Sequence, residues 1–282
     1  MGDFFTLMSG PLLASVVMSP VHCLFGLHIV RRGVIFIDLA VAQMAALGMA
    51  IAVAGGHDVY SSQTYWLALA FALGTAIAIS LTRFKLGRVP HEAIIGIIFV
   101  LASALGIVVL EKSPHGPEEL KGMMSGSILF VQPADMQTTA IAYGLILVIA
   151  ILVWKPTAAI SLNSPEAPTG TKRVLIDFIF YGLLAFVVAS SVKIAGVLVV
   201  FTWLVMPPVA AFLWVSKMKH AVIASLPIAI VGSVIGLWIS FKYDWPTGPA
   251  IVVVLGGIVA ALYLVKLFVP EKDAIDAEAV HT

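Results

Sequence analysis

Charge is scarce in this chain. Aspartate, glutamate, lysine and arginine make up 11% of its 282 residues, against about 25% in an ordinary soluble domain. So few charges cannot coat a water-facing surface, because a core of any size still needs a polar shell. The net charge is only +1, which leaves no field to draw in nucleic acid and excludes it as a partner. Cysteine occurs once, at Cys23, so an internal disulfide and paired-cysteine metal motifs are excluded. The sequence also lacks HExxH, GxSxG and Walker A patterns. If ATP drives its action, another polypeptide hydrolyses the ATP, and the chain itself is not expected to be an enzyme. A basic segment and a small-residue cleavage site are missing near the N-terminus, so residues 7–26 read as a retained first helix rather than a signal peptide.

What is present is apolar. The hydrophobic share is 61% and the mean hydropathy +1.07, so lipid is the solvent for most of the chain. In lipid every backbone polar group needs an internal partner, which leaves helices or a closed barrel. Barrel strands alternate apolar and polar residues. This chain instead carries unbroken apolar runs near the ~20 residues of a spanning helix. They fall at 7–28, 33–55, 63–82, 91–110, 136–154, 174–192, 194–215, 221–241 and 247–268. The expectation is an all-α polytopic membrane protein, one permease-like domain over 1–282 with eight to nine transmembrane helices. The stretch 174–216 has Lys193 in its middle and then Pro207-Pro208, where a helix break or kink is expected.

Lysine and arginine set the orientation. With the N-terminus outside, Arg31, Arg32, Arg83, Lys85, Arg88, Lys155, Lys172, Arg173, Lys217 and Lys219 are cytoplasmic, and only Lys112, Lys121, Lys193 and Lys242 are outside. Two loops exceed what a connection requires. An outer loop covers 111–135. A cytoplasmic loop, 155–173, is long enough for a short helix along the membrane surface that could grip a motor. A polar tail covers 270–282.

Ionisable groups in apolar segments cost roughly 2.5–3.5 kcal/mol on insertion scales and need a reason. Asp38 is the clearest case, alone in VIFIDLAVAQMAALG. Facing a pore, its carboxylate would supply an oxygen ligand to a cation. The competing reading pairs it with Arg32, six residues earlier. Gln43 lies on another face of the same helix. His91 and Glu92 open the fourth segment after Pro90, where an acid also suits the helix dipole. His22, Cys23 and His28 in the first segment read as core residues bonded to neighbouring helices.

Five stretches now read together. VRRGVIFIDLAVAQMAALGMAIA, HEAIIGIIFVLASALGIVVL, MMSGSILFVQPADM, VKIAGVLVVFTWLVMPPVAAFLW and YDWPTGPAIVVVLGGI occur in the order and spacing seen in one family. The chain resembles the zinc/manganese ABC-transporter permeases over nearly its whole length. The resemblance implies an importer of divalent transition metal ions, Zn²⁺ first and Mn²⁺ next, as transported substrate rather than bound cofactor. It implies cytosolic ABC ATPase subunits, an extracytoplasmic metal-binding protein and a second permease copy as partners, with membrane lipid around them in a bacterial inner membrane. By this resemblance Asp38 is the principal metal ligand, with Glu92, His91 and Gln43 as further candidates. Loop 155–173 is the ATPase coupling segment, with Pro165, Glu166, Lys172 and Lys217 as contacts. One departure stands out: many members carry histidine four residues after the pore aspartate, and here that residue is Ala42. Alternatives are a permease for a metal chelate and an ion-coupled secondary carrier. The latter class often has inverted repeats, which are not evident here.

Overall fold

The structure is a computed structural model. It describes residues 2–59, 61–82, 90–111, 118, 122, 126, 128–131 and 133–269. Its helices are α1 (Gly2–Arg32), α2 (Ile37–Ala54), α3 (Ser62–Thr82), α4 (His91–Leu110), α5 (Pro133–Leu152), α6 (Trp154–Ser161), α7 (Gly170–Phe212), α8 (Met218–Tyr243) and α9 (Thr247–Phe268), with a 3₁₀ turn at Ile128–Phe130. The expected all-α membrane fold is what forms. Seven helices are long and apolar enough to cross a bilayer, and α5 with α6 adds an eighth crossing bent by 70°. Arg83 to Arg88, most of the 111–135 loop and the 270–282 tail lie outside the described residues.

The 43 residues of α7 would extend about 64 Å if straight, twice the ~30 Å hydrocarbon core. They are not straight. Gly196 has φ 79° and ψ 160°, a conformation glycine adopts and residues with a Cβ avoid. Contacts at the two ends of α7 show that the chain folds back. Asp177, near its start, meets Arg32. Phe212, its last residue, lies 4.2 Å beneath the Arg31 guanidinium, and Arg31 Nη2 donates to the Ser216 carbonyl at 2.6 Å. Arg31 and Arg32 are neighbours at the end of α1, so both ends of α7 lie on one side. The helix is therefore two arms, 170–195 and 197–212. Counting the arms separately raises the eight crossings to nine, matching the nine apolar runs.

The apolar runs divide at Lys193, and the non-helical residue stands three positions on, at Gly196. No break forms at Pro207 and Pro208, where a break or kink was expected, and both sit inside helical backbone. Each proline removes the N–H that would bond the carbonyl four residues back, on Trp203 and Leu204. α1 covers both carbonyls. The Cys23 thiol donates to the Trp203 carbonyl across 3.6 Å. A Cβ on Gly26 would stand 1.8 Å from the Leu204 oxygen, so the carbonyl rests against a bare Cα that only glycine offers. At the other end of the bundle Gly126, with φ 73°, lies on the fold-back of α7. A Cβ there would come within 2.2 Å of the Ala195 carbonyl carbon.

The share of each crossing buried in the chain separates interior from periphery: 72% for α2, 67% for α1 and α7, 22% for α4 and 11% for α9. Exposed Ile97, Val100 and Leu101 on α4 and Leu264, Leu267 and Phe268 on α9 suit lipid. A buried polar chain ties the interior together. His22 Nε2 bonds Ser191 Oγ at 2.9 Å, and the Tyr143 hydroxyl bonds Ser191 and the Val187 carbonyl, joining α1, α5 and α7.

Candidate metal centre

α1 ends on Arg32, and Gly33, with φ 65°, turns the chain. The Gly33 and Val34 amides donate back to Val30 and Ile29. α2 then starts at Ile37, which puts Asp38 in its first turn. The side chain is 1% exposed, and among the described residues neither carboxylate oxygen has a hydrogen-bond partner. Ile37, Ala40 and Val41 around it are buried too. A helix N-terminus favours an acid by about 0.3–1 kcal/mol. That does not repay several kcal/mol for desolvating an ion. The helix start explains why a carboxylate is tolerated here but not why it lacks a partner.

The competing reading, Asp38 paired with Arg32, is overturned. Arg32 Nη1 donates to Asp177 Oδ1 at 2.7 Å, with the two side chains 0% and 1% exposed. Arg32 Nε donates to Ser161 Oγ at 3.0 Å, and its guanidinium stacks 4.2 Å from the Phe180 ring. A planar fork favours this arrangement, binding carboxylate and hydroxyl while lying flat on an aromatic face.

Gln43 is buried farther along α2 and has a polar partner of its own. Glu92 is half-buried in the first turn of α4, and the His91 side chain lies outside the described residues. α2 packs against α3, α4 and α7. α4 starts on the same side of the bundle as α2, so Asp38 and Glu92 share that side. Among the described residues no three His, Cys, Asp or Glu side chains group closely enough to hold a metal ion. Ala42 is buried where a histidine would complete a pair with Asp38.

The short helix expected in loop 155–173 is present at the loop's start. α6 spans Trp154–Ser161, bent 70° from α5, and buries Thr157, Ile160 and Ser161. Pro165 and Glu166 follow it, exposed, after Asn163 takes a left-handed turn with φ 49°. Lys172 and Lys217 are exposed as well. Ser161 meets Arg32 and Ser216 meets Arg31, so this loop and Lys217 lie on one side of the bundle.

Sequence reasoning missed Asp177 and Ser161, while His28 is the buried residue bonded to a neighbouring helix that was expected. Asp177 carried the same signal as Asp38, an acid in an apolar helix, but was overshadowed by Lys193. His28 Nδ1 lies 3.0 Å from Ser161 Oγ, a contact across 133 residues that no local pattern announces.

The profile of the ABC 3 transport family matches residues 4–269. The chain belongs to this family. As a multi-span helical member it is an integral protein of the inner membrane. One relative of this ABC 3 chain, from Haemophilus influenzae, is named "Probable iron transport system membrane protein"; it is 26% identical, over 94% of this chain and 93% of its own length. Another, from Listeria monocytogenes, is named manganese transport system membrane protein MntC; it is 24% identical, over 96% of this chain and 94% of its own. Among solved structures, PsaBC from Streptococcus pneumoniae in complex with Fab has a similar fold. Its TM-score is 0.74 at 21% identity, with 98% of this chain and 99% of that one aligned.

Proposed function

We propose that the chain is the permease subunit of an ATP-driven importer of a divalent transition metal ion, with Asp38 the principal ligand on the ion's path. The observation that carries this reading is the buried Asp38 carboxylate without a partner among the described residues. An ion in transit supplies the missing charge. Since Asp38 is closed off in this state, the ion reaches it only when α2 shifts against its neighbours. A single firm ligand is no defect, because a transporter gains nothing from a well too deep to empty. A second permease copy would bring a second Asp38 into play.

Of the candidates whose side chains are described, Asp38, Glu92 and the amide of Gln43 each offer oxygen, and His91, whose side chain lies outside the described residues, would offer nitrogen. Oxygen donors suit Mn²⁺ and Fe²⁺ better than Zn²⁺, which favours nitrogen and sulfur. The names of the relatives, manganese in one and iron in the other, point the same way. We therefore rank Mn²⁺ and Fe²⁺ ahead of Zn²⁺, reversing the order drawn from the sequence. Partner ATPase subunits dock on the side that carries Arg31, Arg32, α6 and Lys217, which is cytoplasmic by the lysine and arginine count. Pro165, Glu166 and Lys172 extend that surface. An extracytoplasmic metal-binding protein delivers the ion on the other side.

Uptake by the complete transporter in lipid vesicles tests the reading. Mn²⁺ and Fe²⁺ should accumulate with ATP, faster than Zn²⁺, and none without the ATPase. Accumulation that needs no ATPase would point to a secondary carrier instead. For the orientation, a cysteine at Ser164 with Cys23→Ala should react with an impermeant thiol reagent only from the cytoplasmic side. Labelling in intact cells would invert the topology.

A further inference from the structure

We propose that Ser161, Arg32 and Asp177 form a link that carries movement of α6 to the start of α2, and so to Asp38. The proposal rests on the functional reading above, in which α6 lies on the ATPase side. It assigns Arg32 and Ser161 as positioning residues for transport.

The geometry begins at the last residue of α6. The Ser161 hydroxyl donates to the Thr157 carbonyl at 2.8 Å. It accepts from Arg32 Nε at 3.0 Å, and His28 Nδ1 lies at 3.0 Å. A serine hydroxyl has one donor and two acceptor positions. With the proton of His28 on Nδ1, all three are used. Ser161 is therefore clamped to α1 at two points, and 2% exposure leaves no water to substitute. Arg32 passes the connection on to α7 through Asp177 at 2.7 Å. It is also the last residue of α1, and only Gly33 to Phe36 separate it from α2. That turn is braced by its own hydrogen bonds. The Val34 amide donates to Ile29, the Ile37 amide to Val34 and the Ala40 amide to Phe36. A displacement of Arg32 therefore reaches the Asp38 turn along the chain rather than being lost in a slack loop.

α6 begins at a sharp bend. It departs from α5 by 70° at Val153. Beneath the bend is a cavity of about 10 Å³ lined by His28, Trp154, Thr157 and Phe180 among others. Thr157 Oγ1 in that lining is buried with no partner among the described residues. Stability alone does not require a buried ion pair here, since apolar packing of similar volume would serve as well or better. Two contacts on one hydroxyl, between a sharply bent helix end and a braced turn, are suited to transmit a small movement.

The test uses the complete transporter, permease with its ATPase and metal-loaded binding protein, in lipid vesicles. The readout is the ratio of ATP hydrolysis with and without the loaded binding protein, with metal uptake measured alongside. Ser161→Ala should lower that ratio by roughly fivefold or more and lower uptake with it. Ser161→Thr, which keeps the hydroxyl, should restore most of the response. Arg32→Lys keeps a charge for Asp177 but loses the fork that also reaches Ser161, so it should lose the response too. A folded Ser161→Ala or Arg32→Lys with the full ratio overturns the link. So does a Ser161→Thr as impaired as Ser161→Ala, since packing rather than the hydroxyl would then be responsible. Asp38→Asn, run in parallel, separates the two claims. If Asp38→Asn loses uptake while Ser161→Ala keeps it, the link fails and the functional reading stands; if Asp38→Asn transports normally, the functional reading fails.

Discussion

Asp38 and Asp177 are equally sealed, each 1% exposed in an apolar helix, and they are treated in opposite ways. Asp177 has Arg32 at 2.7 Å and Arg173, one turn back on its own helix, at 3.9 Å. Asp38 has no hydrogen-bond partner among the described residues, although Arg32 stands only six residues away. The arginine that could have neutralised Asp38 is held elsewhere by a carboxylate, a hydroxyl and an aromatic ring. A buried carboxylate held by a close ion pair is part of the architecture. A buried carboxylate with no hydrogen-bond partner among the described residues is what the proposed ion site requires. The difference between a strut and a site is thus visible in the partners rather than in the burial.

Breaking the Asp177 side should have the largest effect. Arg32→Gln leaves Asp177 buried and short of its main partner, and should cost about 3–5 kcal/mol of stability. The expected outcome is a permease that melts far earlier in detergent and assembles poorly with its ATPase. Adding Asp177→Asn to that variant should recover much of the loss, because no charge is then stranded. A double variant as unstable as the single one would mean that the pair is not what Arg32 supports.

A smaller effect is expected where α1 meets the proline-freed carbonyls. Gly26→Ala would push a methyl group onto the Leu204 carbonyl, which backbone cannot easily yield, and should cost about 1–3 kcal/mol. Thermal melting measures it. An unchanged melting point would mean that the two helices stand farther apart than described. The smallest effect on stability is expected at Asp38. Asp38→Asn replaces a buried carboxyl group that has no hydrogen-bond partner among the described residues and should leave stability unchanged or slightly raised.

Much of this was legible in the sequence, for a physical reason. Lipid forces long apolar runs, so a bundle of eight to nine crossings could be expected, and the scarcity of charge made Asp38 conspicuous. The helix ends were less legible. α1 extends from Gly2 to Arg32, beyond the 7–28 run, because its last turns are held by Arg31 and Arg32 contacts rather than by lipid. The division of α7 was legible within three residues, at Lys193, but the further break expected at Pro207 and Pro208 does not form. Their lost hydrogen bonds are covered by Cys23 and Gly26 of another helix, which no local pattern records. The partner of Arg32 was misassigned for a similar reason. Asp38 is near in sequence, while Asp177 is 145 residues away and brought close only by the packing of the first arm of α7 against α1.

The central claim is that Asp38 is a site and not a strut. The direct measurement is metal uptake by Asp38→Asn in vesicles containing the complete transporter, with the melting point of the same preparation recorded. The account predicts uptake reduced by about tenfold or more, as expected for losing a charged ligand worth over 1.4 kcal/mol, with an unchanged or higher melting point. Uptake at the normal rate would contradict it, and so would a fall in uptake matched by a collapse in stability.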